Sequence, residues 1–240
     1  MVHWRKTIRR KATPKEFLKL FAKESIVIQL RPSASRGFAD HGWLVARHTF
    51  SFADYQDPAE MGWGALRVIN EDRIAAGKGF GEHGHRDMEI VTYVIAGELE
   101  HRDSLGNGEV IRPGEVQRMS AGKGIRHSEF NPSGTETTHL LQIWIEPSEL
   151  NLAPSYEQQP LAPGLNCWRL IASPDAAQGS TLIHQDASIH AAHLLAGAEL
   201  RYALDLVRLA YVQLVRGGMS LNGLAMHAGD GAKIAKESAL

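Results

Sequence analysis

One cysteine, Cys167, stands in 240 residues, so no intramolecular disulfide can form and nothing calls for an oxidising compartment. Long hydrophobic runs are missing too. The longest largely apolar stretches, residues 90–96 and 140–145, fall far short of the roughly 20 residues that cross a bilayer. No sustained apolar segment follows the basic N-terminus, so no secretory signal is expected, and a cytoplasmic location is. Net charge is also small, 26 Lys and Arg against 27 Asp and Glu. It is unevenly spread: residues 1–24 hold eight Lys or Arg against Glu16 and Glu24, which leaves the remainder at −7. A mildly acidic body disfavours phosphate-driven binding, so neither nucleic acid nor membrane is expected as its partner.

Residues 1–24 form a basic extension. Within it Thr13-Pro14-Lys15-Glu16 is a capping box with proline at the first helical position, leading into Phe17, Leu18, Leu20 and Phe21, and predicts a short amphipathic helix. Its charge suits a membrane surface, an organelle-targeting role or nucleic acid. The plainer expectation is a loosely held arm with few contacts, whose deletion leaves stability unchanged.

From Ile26 onward, short apolar runs alternate with Gly, Pro, Asn and Asp. Strands are expected at residues 26–30, 65–70, 90–96, 98–102, 109–111, 116–120, 126–130 and 139–145, which is the spacing of an antiparallel sandwich or barrel. A loop-like segment, residues 147–164, precedes a second group at 167–171, 180–184, 189–195, 208–215, 219–221 and 231–235. The groups look related. Thr92 to Glu100, a glycine turn and then Arg112-Pro113-Gly114 are echoed by Val212 to Leu221 and then Ala228-Gly229-Asp230-Gly231. This predicts a degenerate internal duplication and three regions: the extension 1–24, an N-terminal barrel 25–147 and a C-terminal barrel 148–240. The second copy has no H-x-H and reaches Leu240 before any counterpart of residues 126–145. It is therefore expected to lack its last strands and to leave residues 229–240 poorly anchored at an open sheet edge.

Two histidine pairs stand out. In Phe80-Gly81-Glu82-His83-Gly84-His85, strand alternation points both imidazoles to one face while Gly84 turns away. Forty-two residues after His85, His127-Ser128-Glu129 places an imidazole and a carboxylate on one face in the same way. On neighbouring strands the pairs would bring three imidazoles and one carboxylate to one point. Mixed nitrogen and oxygen donors with open positions suit Fe(II), Mn(II), Ni(II) or Cu(II) better than a closed structural zinc site.

This constellation resembles the cupin superfamily and, more narrowly, the pirin family of bicupins. Gly77, His83, His85, Glu89 and Gly97 approximate the first cupin motif, and Gly114, Gly122, His127 and Asn131 the second. Four residues separate Gly122 from His127 where the general cupin form has two, a departure that pirins share. Pirin-like signatures are His41-Gly42-Trp43-Leu44, His48-Thr49-Phe50-Ser51-Phe52, Leu66-Arg67-Val68-Ile69-Asn70, Met119-Ser120-Ala121-Gly122 and Ile125-Arg126-His127-Ser128-Glu129-Phe130-Asn131. The resemblance runs from about Ile26 to the C-terminus and is densest before Pro174.

The resemblance implies an all-β fold of two cupin-type antiparallel β-barrels, the second degenerate, with a metal in the first only. It implies His83, His85, His127 and Glu129 as ligands and leaves Glu89 as a group outside the coordination sphere. The cofactor is one divalent transition metal, iron first on availability, with Mn, Ni, Cu, Co or Zn as alternatives. Bacterial pirins of this kind resemble quercetin 2,3-dioxygenases, so the implied substrates are a flavonol and O2, with Glu129 as the base. The alternative is a metal- or redox-sensing interaction protein with a partner such as a transcription factor.

The remaining candidates have plainer expectations. His41 and His48 should make structural hydrogen bonds, and His101 and His139 should either line the cavity or pack. His190 and His193 should point to opposite faces. Cys167 should be a small buried hydrophobe, and Phe50, Phe52, Trp63 and Trp144 should belong mostly to the core.

Overall fold

The computed structural model describes residues 28–240 and the backbone of a strand at Val2–Arg5. The helix expected from Thr13 onward lies outside the described residues. The architecture is all-β, in layers. A seven-stranded sheet runs in the order Ser155–Gln159, Val116–Ser120, Glu89–Ala96, Thr138–Ile145, Leu66–Ile74, Leu44–His48 and Gly37–Asp40. One of its faces meets a four-stranded sheet ordered Gly79–His85, Ile125–Phe130, Leu99–Asp103 and Gly108–Ile111. The other packs on an eight-stranded sheet built mainly from the second half of the chain, and that sheet is covered in turn by the hairpin Gly218–Leu221 and Leu224–His227. Among the described residues no helix is long and apolar enough to cross a membrane.

Period-two alternation explains how one sheet serves two neighbours. Along Thr138–Ile145, Leu141, Ile143 and Ile145 join the core shared with Ile171, Ile189 and Tyr211 of the eight-stranded sheet. Leu140 joins Leu99 and Ile111 of the four-stranded sheet. The same strand therefore sends Gln142 and Trp144 towards the four-stranded sheet, where the histidine pairs lie.

The internal repeat appears in the topology. Glu89–Ala96 pairs with Val116–Ser120 across an excursion through the hairpin Leu99–Asp103 and Gly108–Ile111. Arg208–Gln213 likewise pairs with Gly231–Ala235 across the hairpin Gly218–Leu221 and Leu224–His227. In the first copy two further strands, Gly79–His85 and Ile125–Phe130, extend the hairpin into a sheet. Among the described residues the second hairpin remains two-stranded.

Several expectations need correction. Residues 229–240 are well anchored. Gly231–Ala235 lies between Arg208–Gln213 and Ile28–Arg31, Ala232 and Ile234 are fully buried, and Tyr202 and Leu240 exchange backbone hydrogen bonds. The edge that looked open is closed by strands from the other end of the chain. Val2–Arg5 sits between Ala187–His193 and Arg208–Gln213, paired to both. The arm therefore does make contacts. Removing residues 1–5 should lower stability by more than about 2 kcal/mol, taking roughly 1 kcal/mol net per lost ladder bond. A thermal melt that leaves Tm unchanged would show the strand to be dispensable. The segment 147–164 is not all loop either, since Ser155–Gln159 extends the seven-stranded sheet beside Val116–Ser120. Its polar sequence, Ser-Tyr-Glu-Gln-Gln, conceals an edge strand, which needs no apolar face on its outer side. Cys167 is exposed rather than buried.

A buried ion pair ties the layers together. Arg36 Nη1 donates to Glu71 Oε2 at 2.8 Å and to the backbone carbonyl of Gly229 at 3.1 Å, while Nη2 donates to the carbonyl of Arg47. The Arg36 side chain is shut off from solvent. One guanidinium thus links the strands Leu44–His48 and Leu66–Ile74 to the turn that leads into Gly231–Ala235.

Candidate metal centre

Strand register brings the two histidine pairs together. Gly79–His85 and Ile125–Phe130 are antiparallel with His83 opposite His127 and His85 opposite Ile125, and the register slips by one residue between His127 and Glu129. Such a bulge re-aims the side chains that follow it. Gly79 makes the approach possible, because a Cβ there would fall 2.2 Å from the backbone oxygen of Glu129. On the other side Ile125–Phe130 pairs with Leu99–Asp103, setting His127 opposite Asp103 and Glu129 opposite His101.

The side chains converge as the registers require. One donor atom from each of His83, His85 and His127 lies within 4.8 Å of the others, and the same holds for His101, His127 and Glu129. The two groups share His127. The expected foursome is therefore split at this spacing: His83 and His85 group with His127 on one side, and Glu129 groups with it on the other, beside His101. Ring centroids stand 4.4 Å apart for His83 and His127 and 4.8 Å apart for His85 and His127. His127 and Glu129 are buried, whereas His83 and His85 are partly exposed.

Electrostatics and hydrogen bonding leave donor atoms free. Burial, reinforced by the neighbouring rings of His83, His85 and His101, pushes His127 down to about 2. Burial and then His83 push His85 down to about 4. Both imidazoles are neutral at pH 7, the form that ligates a metal. Burial raises Glu129 to about 7 against the opposing hydrogen bond from Gln142, whose Nε2 donates to Glu129 Oε2 at 2.8 Å. His127 Nε2 and Glu129 Oε1 are buried without any hydrogen-bond partner. Orphaned buried polar atoms are costly. Two of them aimed into one histidine cluster fit a cation-binding site.

The surroundings are aromatic. Phe80 lies against His83 and Trp144 against His85, with ring centroids at 6.4 and 4.9 Å, backed by Trp43 and Phe52. Phe50 is a core residue, and Trp63 and Trp144 pack against core clusters as expected, Trp144 with its other contacts on His85 and Phe52. The two surface depressions near the four-stranded sheet, about 440 and 120 Å³, are lined by residues such as Glu100, Arg102, Glu82 and Arg126 and do not lie over the imidazoles.

Other histidines take structural places. His48 Nδ1 donates to Asn70 Oδ1 at 2.9 Å, and His139 Nε2 lies 2.9 Å from Glu71 Oε1. His41 and His193 are exposed, and His190 packs on Tyr202. Glu89 stands apart from the cluster: it is buried, with Ser120 Oγ donating to Oε2 at 2.7 Å and His184 Nδ1 3.3 Å from Oε1. Sequence reasoning did not single out Gln142, Asp72 or Asp103. Gln142 carried a signal, a polar residue inside an apolar strand. Asp72 is buried, and its carboxyl is raised to about 7 by burial and then by Glu129.

Known proteins place this geometry in context. A family model described as Pirin matches residues 29–145, and one described as quercetinase C-terminal cupin domain matches residues 170–240. The chain is 49% identical over 214 residues to the quercetin 2,3-dioxygenase of Escherichia coli, covering 89% of this chain and 92% of that one. It is 45% identical over 217 residues to a pirin-like protein of Caulobacter vibrioides, covering 89% and 93%. The solved nickel(II) complex of the bacterial pirin YhhW from Escherichia coli superposes with a TM-score of 0.85 at 50% identity, covering 88% and 91%. Similarity at this level spans both cupin domains and includes the strands that carry the histidine cluster, so the chain belongs to the pirin family.

Proposed function

We propose that this protein is a metal-dependent dioxygenase that opens the central ring of quercetin or a related flavonol with O2, using a divalent metal held by His83, His85, His127 and Glu129. The observation that carries the reading is the convergence of three imidazoles on one sheet face beside two orphaned buried atoms, His127 Nε2 and Glu129 Oε1. Relatives named quercetin 2,3-dioxygenase and the nickel-bound bacterial pirin support it. A bound divalent metal supplies Lewis acidity, which acidifies a substrate hydroxyl.

The chain's own groups do the rest. Glu129 Oε1 faces the cluster with no partner, and as a carboxylate beside the substrate it is the group that would take up the flavonol 3-hydroxyl proton. Gln142 holds the other oxygen and so fixes the carboxyl plane. Phe80 and Trp144 supply flat apolar walls that suit a flat aromatic substrate and keep water from the reacting ring.

The test is metal analysis of the purified protein, then anaerobic addition of flavonol, then O2. Loss of flavonol absorbance with release of carbon monoxide is expected. Metal-loaded protein that binds flavonol and leaves it intact in O2 would overturn the enzymatic reading and favour the sensing alternative.

A further inference from the structure

The strand Leu99–Asp103 holds two buried groups that the proposed chemistry leaves unused. His101 Nε2 lies 3.1 Å from Asp103 Oδ2, and both side chains are shut off from solvent. His101 Nδ1 lies 3.4 Å from His127 Nδ1 and 3.1 Å from the amide nitrogen of Gln117. Asp103 is itself fixed by the turn that follows it. Its Oδ1 accepts from the backbone N–H groups of Leu105 and Asn107 at 2.9 and 3.1 Å, and the Asn107 amide donates to both oxygens. This is the ordinary habit of Asp at the head of a Gly-rich turn.

The chemistry of the donors orders the protons along this row. A carboxylate only accepts, so the proton between Asp103 and His101 sits on His101 Nε2. A neutral imidazole carries one N–H, which leaves His101 Nδ1 as an acceptor, and the Gln117 amide indeed points at it. The proton between the two Nδ1 atoms then belongs to His127, and the bare nitrogen of His127 is Nε2, the atom without a partner. We propose that Asp103 and His101 are positioning residues that lock His127 in its Nδ1–H tautomer and so present its Nε2 lone pair to the metal. The proposal rests on the metal reading above. His83 is set by a different device, its Nδ1 donating to the carbonyl of Gly81 at 2.8 Å.

Two-bond proton–nitrogen NMR of the metal-free protein at neutral pH reads each tautomer directly. Nδ1–H at His127 with Nε2–H at His101 is expected, and Nε2–H at His127 overturns the proposal whether or not any variant folds. Asp103→Asn supplies the perturbation. The Leu105 and Asn107 donors hold the amide oxygen at the Oδ1 position, so the NH2 faces His101 and both rings invert. Ni(II) affinity, measured by calorimetry, should fall about 10- to 100-fold, with His127 switched to Nε2–H. Glu100→Gln, on the outer face of the same strand, should change neither readout. Folded Asp103→Asn protein with wild-type tautomers and wild-type Ni(II) affinity overturns the proposal. Wild-type protein with the expected tautomers that binds no Ni(II) upholds the relay and overturns the metal reading instead.

Discussion

Glu129→Gln is expected to weaken metal binding by more than the roughly 10- to 100-fold typical of groups behind a ligand and to abolish flavonol turnover. The substitution preserves shape and leaves an acceptor for Gln142, so the barrel should stay folded. It replaces the orphaned Oε1 with a neutral amide, which neither neutralises a cation nor takes a proton at neutral pH. Glu89→Gln is the matched control. Its carboxylate bonds Ser120 and approaches His184, away from the imidazole cluster. Stability should fall there by about 1–3 kcal/mol, the cost of a disturbed buried charged hydrogen bond, with metal content intact. Metal analysis and calorimetry on the two variants decide the matter. Full metal occupancy in Glu129→Gln with loss in Glu89→Gln would assign the carboxylate ligand to the wrong motif.

Glu71→Leu should destabilise the fold by about 3–5 kcal/mol, because it strands the Arg36 guanidinium, which has no access to solvent. At 2–4 °C per kcal/mol for a chain of this size, Tm should fall by roughly 6–20 °C. The same pair sets an acid limit. Burial alone would raise the Glu71 carboxyl, but hydrogen bonds from His139 and Arg36 outweigh it and bring the group down to about 2. A depressed carboxylate contributes its full stabilisation above its ordinary value of 4.5 and loses it as pH falls towards 2. Denaturation curves should therefore show wild type losing stability relative to Glu71→Leu between pH 5 and 2 (roughly the window set by linkage), with a constant difference above it. A difference that stays constant down to pH 2 would mean that the pair is not the cause.

The two candidate pairs could be read from sequence because strand alternation is local. H-x-H and H-S-E each put two side chains on one face whatever the rest of the chain does, and His83 with His85 and His127 with Glu129 lie that way. Strand positions were legible for the same reason, with residues 116–120 and 231–235 matching Val116–Ser120 and Gly231–Ala235. The resemblance to pirins supplied the all-β fold with two cupin-type units, and the stacking of its sheets came from the structure.

Which strands become neighbours, and in what register, belongs to the tertiary structure. His101 and Asp103 face His127 only because Leu99–Asp103 is laid beside Ile125–Phe130, and Gln142 reaches Glu129 from the opposite sheet. No local pattern encodes those contacts, since each depends on packing between segments far apart in sequence. The closure of the second sheet shows this most plainly. Alternation within residues 208–240 marked the strands, yet Val2–Arg5 and Ile28–Arg31 complete the sheet from the other end of the chain. An unpaired row of backbone N–H and C=O groups takes whichever strand arrives with matching geometry. Local sequence therefore determined the faces, and long-range packing decided the company they keep.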